Sequence, residues 1–184
     1  KAYELCELGY VGVDVVLGPG LNLKRSPLGG RNFEYLSEDP LLSGELAAAM
    51  VRGIQSAGAG ACLKHFAVNN QESDRMVVDA VVDERTLREV YLAPFEHIVA
   101  AARPWAVMAS YNKVDGVTLT ESDLLAEPLK GEWGFDGLVM SDWTAVRSTA
   151  ESARAALDLA MPGPTGPWGD ALLAAVRAGE VPEA

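Results

Sequence analysis

The 184 residues carry 15 Lys and Arg against 26 Asp and Glu, a net charge of −11 with a pI near 4.6. Hydrophobic residues make up 49% and charged residues 22%, the balance of an ordinary globular chain. That charge argues against a nucleic acid or an anionic membrane surface as partner, since both are held by clustered Lys and Arg. A neutral substrate is the easiest partner to reconcile with it.

The chain opens Lys1-Ala2-Tyr3-Glu4, with neither an initiator Met nor an apolar signal core, and is read as an internal piece of a longer protein. Cys6, on an expected helix, and Cys62, in an apolar run, are read as small core hydrophobes. Two cysteines make no disulfide framework and leave the redox compartment open. No stretch approaches the roughly 18 apolar residues of a membrane-spanning helix.

Five short apolar runs follow one another: Val13-Asp14-Val15-Val16-Leu17, Ala61-Cys62-Leu63, Trp105-Ala106-Val107-Met108-Ala109, Gly137-Leu138-Val139-Met140 and Leu157-Asp158-Leu159-Ala160-Met161. Their length and β-branched content suit buried parallel strands. Helical spacing lies between them. Segment 45–56 places Leu46, Met50, Val51 and Ile54 on one face, and segment 83–103 starts at a candidate N-cap, Asp83, with Pro94 expected to kink or break it. Segments 145–156 and 169–178 are Ala-rich, the second ended by Gly179.

Strand then helix, repeated without a hairpin signal, is the pattern of βα units around a parallel sheet. Both a doubly wound sheet and a (β/α) barrel have it. The runs end in Lys64-His65, Ser110-Tyr111-Asn112 and Ser141-Asp142-Trp143. Polar groups at the carboxyl ends of several strands meet on one face of a barrel, where barrel active sites lie, and this favours the barrel. The expected fold is an α/β, (β/α)8 TIM-type barrel, incomplete here at about five βα units across residues 1–184, since a whole barrel takes roughly 200 to 250 residues.

Asp142 stands at the mouth of the fourth run. A carboxylate there suits the nucleophile of a retaining glycosidase, or it N-caps a helix beginning near Ala145. Lys64 and His65 are adjacent and are expected to point to different sides; they are sugar-hydroxyl donors, or a surface Lys beside a satisfied core His. Arg31 lies in a Gly/Pro-rich loop after the first run and Arg75 in an unusually polar loop after the second, where substrate contacts or solvated salt bridges are expected. Tyr111 offers a hydroxyl or a buried ring, and Trp143 a stacking face or a rim anchor. No metal site is expected, because His65 and His97 are the only histidines and no Cys or carboxylate cluster has ligand spacing. No phosphate-binding glycine loop is present either: Gly58-Ala59-Gly60-Ala61 precedes a strand and lacks the P-loop Lys. No cofactor is expected.

Three stretches together resemble glycoside hydrolase family 3. They are Gly30-Arg31-Asn32-Phe33-Glu34-Tyr35-Leu36-Ser37-Glu38-Asp39-Pro40, Lys64-His65-Phe66-Ala67-Val68-Asn69-Asn70-Gln71-Glu72-Ser73-Asp74-Arg75 and Leu138-Val139-Met140-Ser141-Asp142-Trp143. The resemblance implies a retaining exo-acting β-glycosidase, a β-glucosidase first of all, with Asp142 as nucleophile. It implies that Arg31, Lys64, His65, Arg75 and Tyr111 hold the sugar hydroxyls and that Trp143 flanks the sugar. A β-xylosidase or α-L-arabinofuranosidase of the family, and a non-catalytic sugar-binding barrel, are the alternatives. Ala67-Val68-Asn69-Asn70 stands where the family's N-acetylglucosaminidases carry a Pro-Gly-His-Gly stretch, which points to the glucosidase and xylosidase branch. The resemblance further implies that the acid/base Glu lies on a C-terminal α/β sandwich domain outside this chain, that a sugar-gripping Asp precedes Lys1, and that the isolated chain is inactive. The expected partners are a small glycoside or oligosaccharide, the remaining barrel strands and that second domain.

Overall fold

The computed structural model describes residues 12–164 and 166–183, so the expectation for Cys6 falls outside the described residues. The strands among them are β1 (Val15–Val16), β2 (Gly60–Phe66), β3 (Asp79–Ala80), β4 (Ala106–Ala109), β5 (Lys113–Val114), β6 (Val117–Thr118) and β7 (Leu138–Ser141). A wholly parallel sheet runs in the order β1-β2-β4-β7, which is a portion of a (β/α) barrel. Helix α1 (Pro40–Ser56) links β1 to β2. Helix α2 (Ala93–Ala102), entered through a π-helical turn at Leu87–Leu92, leads from β2 to β4. A π-helical stretch, Leu125–Glu132, precedes β7; α3 (Ala150–Arg154) and α4 (Asp170–Arg177) follow it.

Both faces of the sheet are buried, which is why its strands read as continuous apolar runs. Leu63, Val107 and Val139 pack with Val51, Phe95 and Ile98 on the helical side. Cys62, Ala106, Met108 and Met140 form a separate cluster on the opposite side. Side chains alternate along a strand, so Lys64 and Asp142, two residues beyond Cys62 and Met140, continue that second side at the carboxyl ends of β2 and β7. The Asp142 N–H donates to the Ala109 carbonyl (2.9 Å) and extends the β4–β7 ladder one step past β7. Sequence alternation therefore delivers the carboxylate to the barrel mouth.

Several expectations are corrected. Asp115-Gly116 closes a β5–β6 hairpin, both residues at positive φ (48° and 88°), the requirement of a tight two-residue turn, so the chain does contain a hairpin signal, contrary to expectation. This hairpin joins β3 in a second sheet ordered β3-β5-β6. The fifth apolar run forms only a single parallel bridge, Met140 to Leu159. Ser141 Oγ takes the Met161 N–H (2.8 Å) and Asp158 Oδ2 takes the Val139 N–H (2.7 Å), so side chains occupy ladder positions.

Helix α1 starts five residues before its expected position, at Pro40, because Asp39 Oδ1 accepts the Leu42 N–H (2.7 Å) as N-cap and Pro occupies the first turn. Its buried face is Gly44, Ala47, Ala48, Val51 and Ile54, and Leu46 stays outside. The close approach of α2 selects the small residues: a Cβ on Gly44 would lie 3.2 Å from the His97 ring. The 145–156 helix is limited to α3. Asp83 does cap its helix, accepting the Thr86 N–H at 3.0 Å, and Pro94 sits in the first turn of α2 directly after the π-helical turn.

Candidate active site

The carboxyl ends of β2, β4 and β7 and the loop after β1 bring most of the sequence-selected side chains together. Asp142 is 5% exposed. Its Oδ1 accepts the Trp143 N–H at 2.7 Å, while the buried Oδ2 has no hydrogen-bond partner among the described residues and lies 3.6 Å from His65 Nε2. The next helix, α3, begins only at Ala150, so Asp142 caps no helix and the N-cap alternative is set aside.

His65 is 1% exposed. Register shifts between Lys64 and Phe66, and this irregularity overrides the simple alternation expected for Lys64 and His65: both side chains serve the same cluster. Burial, with the charges of Arg31, Lys64 and Arg75 around it, pushes the imidazole down to about 2. His65 is therefore neutral, and its 3.6 Å approach to Asp142 is not an ion pair. Asn22 locks it from below, Oδ1 accepting the His65 N–H (2.8 Å) and Nδ2 donating to the His65 carbonyl (2.9 Å). Tyr35 Oη stands 3.3 Å from Nδ1; the Tyr35 hydroxyl donates to the Asn69 carbonyl (3.2 Å).

The cations come in two groups. Glu34 receives Arg31 Nε on Oε1 at 2.5 Å and Lys64 Nζ on Oε2 at 3.0 Å. Burial works to raise the Glu34 pKa, but the Lys64 and Arg31 hydrogen bonds outweigh it and hold the carboxyl below the usual range. Glu72 instead accepts from Arg75 at 2.7 Å, and Arg75 lies over the Tyr111 ring, 4.8 Å from its centroid. Burial and then the neighbouring Asp142 carboxylate push the Tyr111 hydroxyl up to about 12, so it stays a hydroxyl facing an anion. Trp143 is half exposed at the rim. Below, burial pushes the Cys62 thiol up to about 12, which keeps this core residue protonated.

Sequence reasoning missed the anchoring layer of Glu34, Tyr35, Asn22 and Asn69. Only Glu34 left a signal, three residues after Arg31 in a glycine-rich loop. Ser110 and Asn112 face the backbone, both donating to the Ala67 carbonyl (3.2 and 3.1 Å). Among the described residues no group of three or more His, Cys, Asp and Glu is placed to hold a metal ion.

Chemically, the cluster offers one carboxylate oxygen without a partner among the described residues, a neutral imidazole, a hydroxyl and three guanidinium or ammonium donors. This set can grip a polyhydroxylated molecule and attack it at one carbon.

Comparison with known proteins gives the family. Residues 2–184 match the model of the glycosyl hydrolase family 3 N terminal domain. The chain is 56% identical over 172 residues to the thermostable β-glucosidase B of Acetivibrio thermocellus, covering 93% of this chain and 23% of that protein. It is 56% identical over 151 residues to an exo-α-(1→6)-L-arabinopyranosidase of Bifidobacterium longum, covering 82% of this chain and 20% of that protein. The solved β-glucosidase 3B of Thermotoga neapolitana in complex with α-D-glucose superposes with a TM-score of 0.92 at 46% identity, covering 97% of this chain and 26% of that one. The chain thus spans about a fifth to a quarter of the length of these relatives.

Proposed function

The chain belongs to glycosyl hydrolase family 3, and on that premise we propose that it is part of the catalytic barrel of a retaining, exo-acting β-glycosidase that removes terminal β-D-glucosyl residues. The observation that carries this reading is the buried Asp142 Oδ2 at a strand mouth, without a hydrogen-bond partner among the described residues and close to His65, Tyr111 and the basic groups. Asp142 attacks the anomeric carbon, the glycosidic C–O bond breaks, and the leaving oxygen takes a proton from an acid on the opposite side of the sugar. Water then attacks the glycosyl ester, returning a proton to that acid and freeing Asp142. Retention needs the two carboxyl groups about 5–5.5 Å apart. The acid is a Glu supplied by an α/β sandwich domain in the remainder of the protein, so residues 1–184 alone are inactive. Arg31, Lys64, neutral His65, Arg75 and Tyr111 hold the hydroxyls, and Trp143 flanks the ring.

The test is hydrolysis of 4-nitrophenyl β-D-glucoside by the full-length protein, with the first-formed sugar followed by proton NMR. β-Glucose is the expected first product, and initial α-glucose contradicts the mechanism. The arabinopyranosidase relative favours a second reading of the substrate. Arabinopyranose, like xylose, lacks a hydroxymethyl group at C5. A panel of 4-nitrophenyl β-D-glucoside, β-D-xyloside and α-L-arabinopyranoside ranked by kcat/KM decides between them.

A further inference from the structure

We infer that Glu34 is a positioning residue of the sugar pocket, holding the Arg31 guanidinium and the Lys64 ammonium side by side so that both donate to one substrate. The inference rests on the glycosidase reading of that pocket and names a residue the reading itself does not need.

Three observations converge on it. Each Glu34 oxygen takes a different cation, Arg31 on Oε1 and Lys64 on Oε2, so neither is left to move a proton in catalysis. The two cations come from distant places in the chain, the loop after β1 and the end of β2, and Glu34 is the group that bridges them. The side chains of all three are less than one-fifth exposed, and two such cations repel each other more strongly here than in water. With the anion between them the trio carries a single positive charge. Finally, space is reserved for the bridge: a Cβ on Gly20 would lie 3.1 Å from Glu34 Oε2 and 3.2 Å from the Tyr35 ring, and Gly20 has no positive φ to account for the glycine.

Local geometry supports the same role. The Glu34 and Tyr35 N–H groups both donate to the Arg31 carbonyl (3.1 and 3.3 Å), a turn that folds residue 34 back onto residue 31. Against the opposing effect of burial, the hydrogen bonds from Lys64 and Arg31 hold the Glu34 carboxyl below the usual carboxylate range, so it stays ionised between them.

The test is steady-state hydrolysis of 4-nitrophenyl β-D-glucoside by the full-length protein as wild type, Glu34→Gln, Lys64→Met and the double variant. Glu34→Gln is expected to raise KM about tenfold, the loss of one charge-assisted contact, with kcat within about threefold. In the Lys64→Met background, where only the Arg31 arm of the bridge remains, the same substitution should raise KM by a clearly smaller factor. Equal fold-changes in both backgrounds overturn the inference, and so does a fall in kcat at unchanged KM, which would place Glu34 in the chemistry. Glu34→Asp keeps the charge and shortens the reach by one methylene. If Glu34→Gln fails to fold, a raised KM in Glu34→Asp at wild-type Tm sustains the inference, and an unchanged KM overturns it. A wild type that turns over no aryl glycoside fails the glycosidase reading first, and that outcome is told apart from every result in the variants.

Discussion

The floor and the rim of the candidate site are built differently. On the floor, Asp142 and His65 are almost fully buried, and Glu34, Lys64, Asn22 and Tyr35 tie together segments more than 25 residues apart. At the rim, Arg75 pairs with Glu72 inside one loop, its side chain 37% exposed, and Trp143 is half in solvent. Buried charges and polar groups are costly to leave unpaired, whereas exposed pairs contribute little. Position is thus set on the floor, and the rim is held less tightly.

If that division holds, Asp142→Asn gives the largest effect. It should lower kcat by at least about a thousandfold with an unchanged Tm, because an amide matches the shape but is a poor nucleophile. Near-normal turnover would break the comparison at its centre. Lys64→Ala comes next. Loss of a buried charge-assisted bond costs about 1.5–3 kcal/mol, roughly ten- to a hundredfold in KM.

His65 gives a pH signature. Its folded pKa, about 2, lies below the ordinary imidazole value of 6.5, so its contribution to stability is whole above 6.5 and is lost as pH falls from there toward 2. Between pH 6 and 4 the wild type should lose up to about 1.4 kcal/mol per pH unit more than His65→Asn in denaturant titrations. Parallel pH curves would show that the floor does not bury this ring as described. The smallest effect belongs to Arg75→Ala, whose half-solvated pair limits the loss in KM to about fivefold. An effect equal to that of Lys64→Ala would erase the distinction between floor and rim.

Much of the floor was legible. The buried parallel strands announced themselves as apolar runs, and counting in twos from Cys62 and Met140 reaches Lys64 and Asp142 on the side away from the helices. The loops around Arg31 and Arg75 were legible at strand ends, the first as a Gly/Pro-rich stretch and the second as a polar one. What stayed hidden depends on tertiary approach. Nothing local says that Glu34 meets Lys64 thirty residues on, that Tyr35 and Asn22 enclose His65, or that α1 buries its alanines while Leu46 faces out. The β5–β6 hairpin is a different case, since Asp115-Gly116 is a local turn signal that needs no tertiary contact to be read. The weak fifth strand also followed from local chemistry, with the Ser141 and Asp158 side chains taking up its backbone partners.

The central claim, that Asp142 bonds to the anomeric carbon, is tested most directly by incubating the full-length protein with a 2-deoxy-2-fluoro-β-glucosyl fluoride and sequencing the labelled peptide by mass spectrometry. The account predicts one added fluoroglucosyl group, on Asp142, and none in Asp142→Asn. A label on any other residue would contradict it.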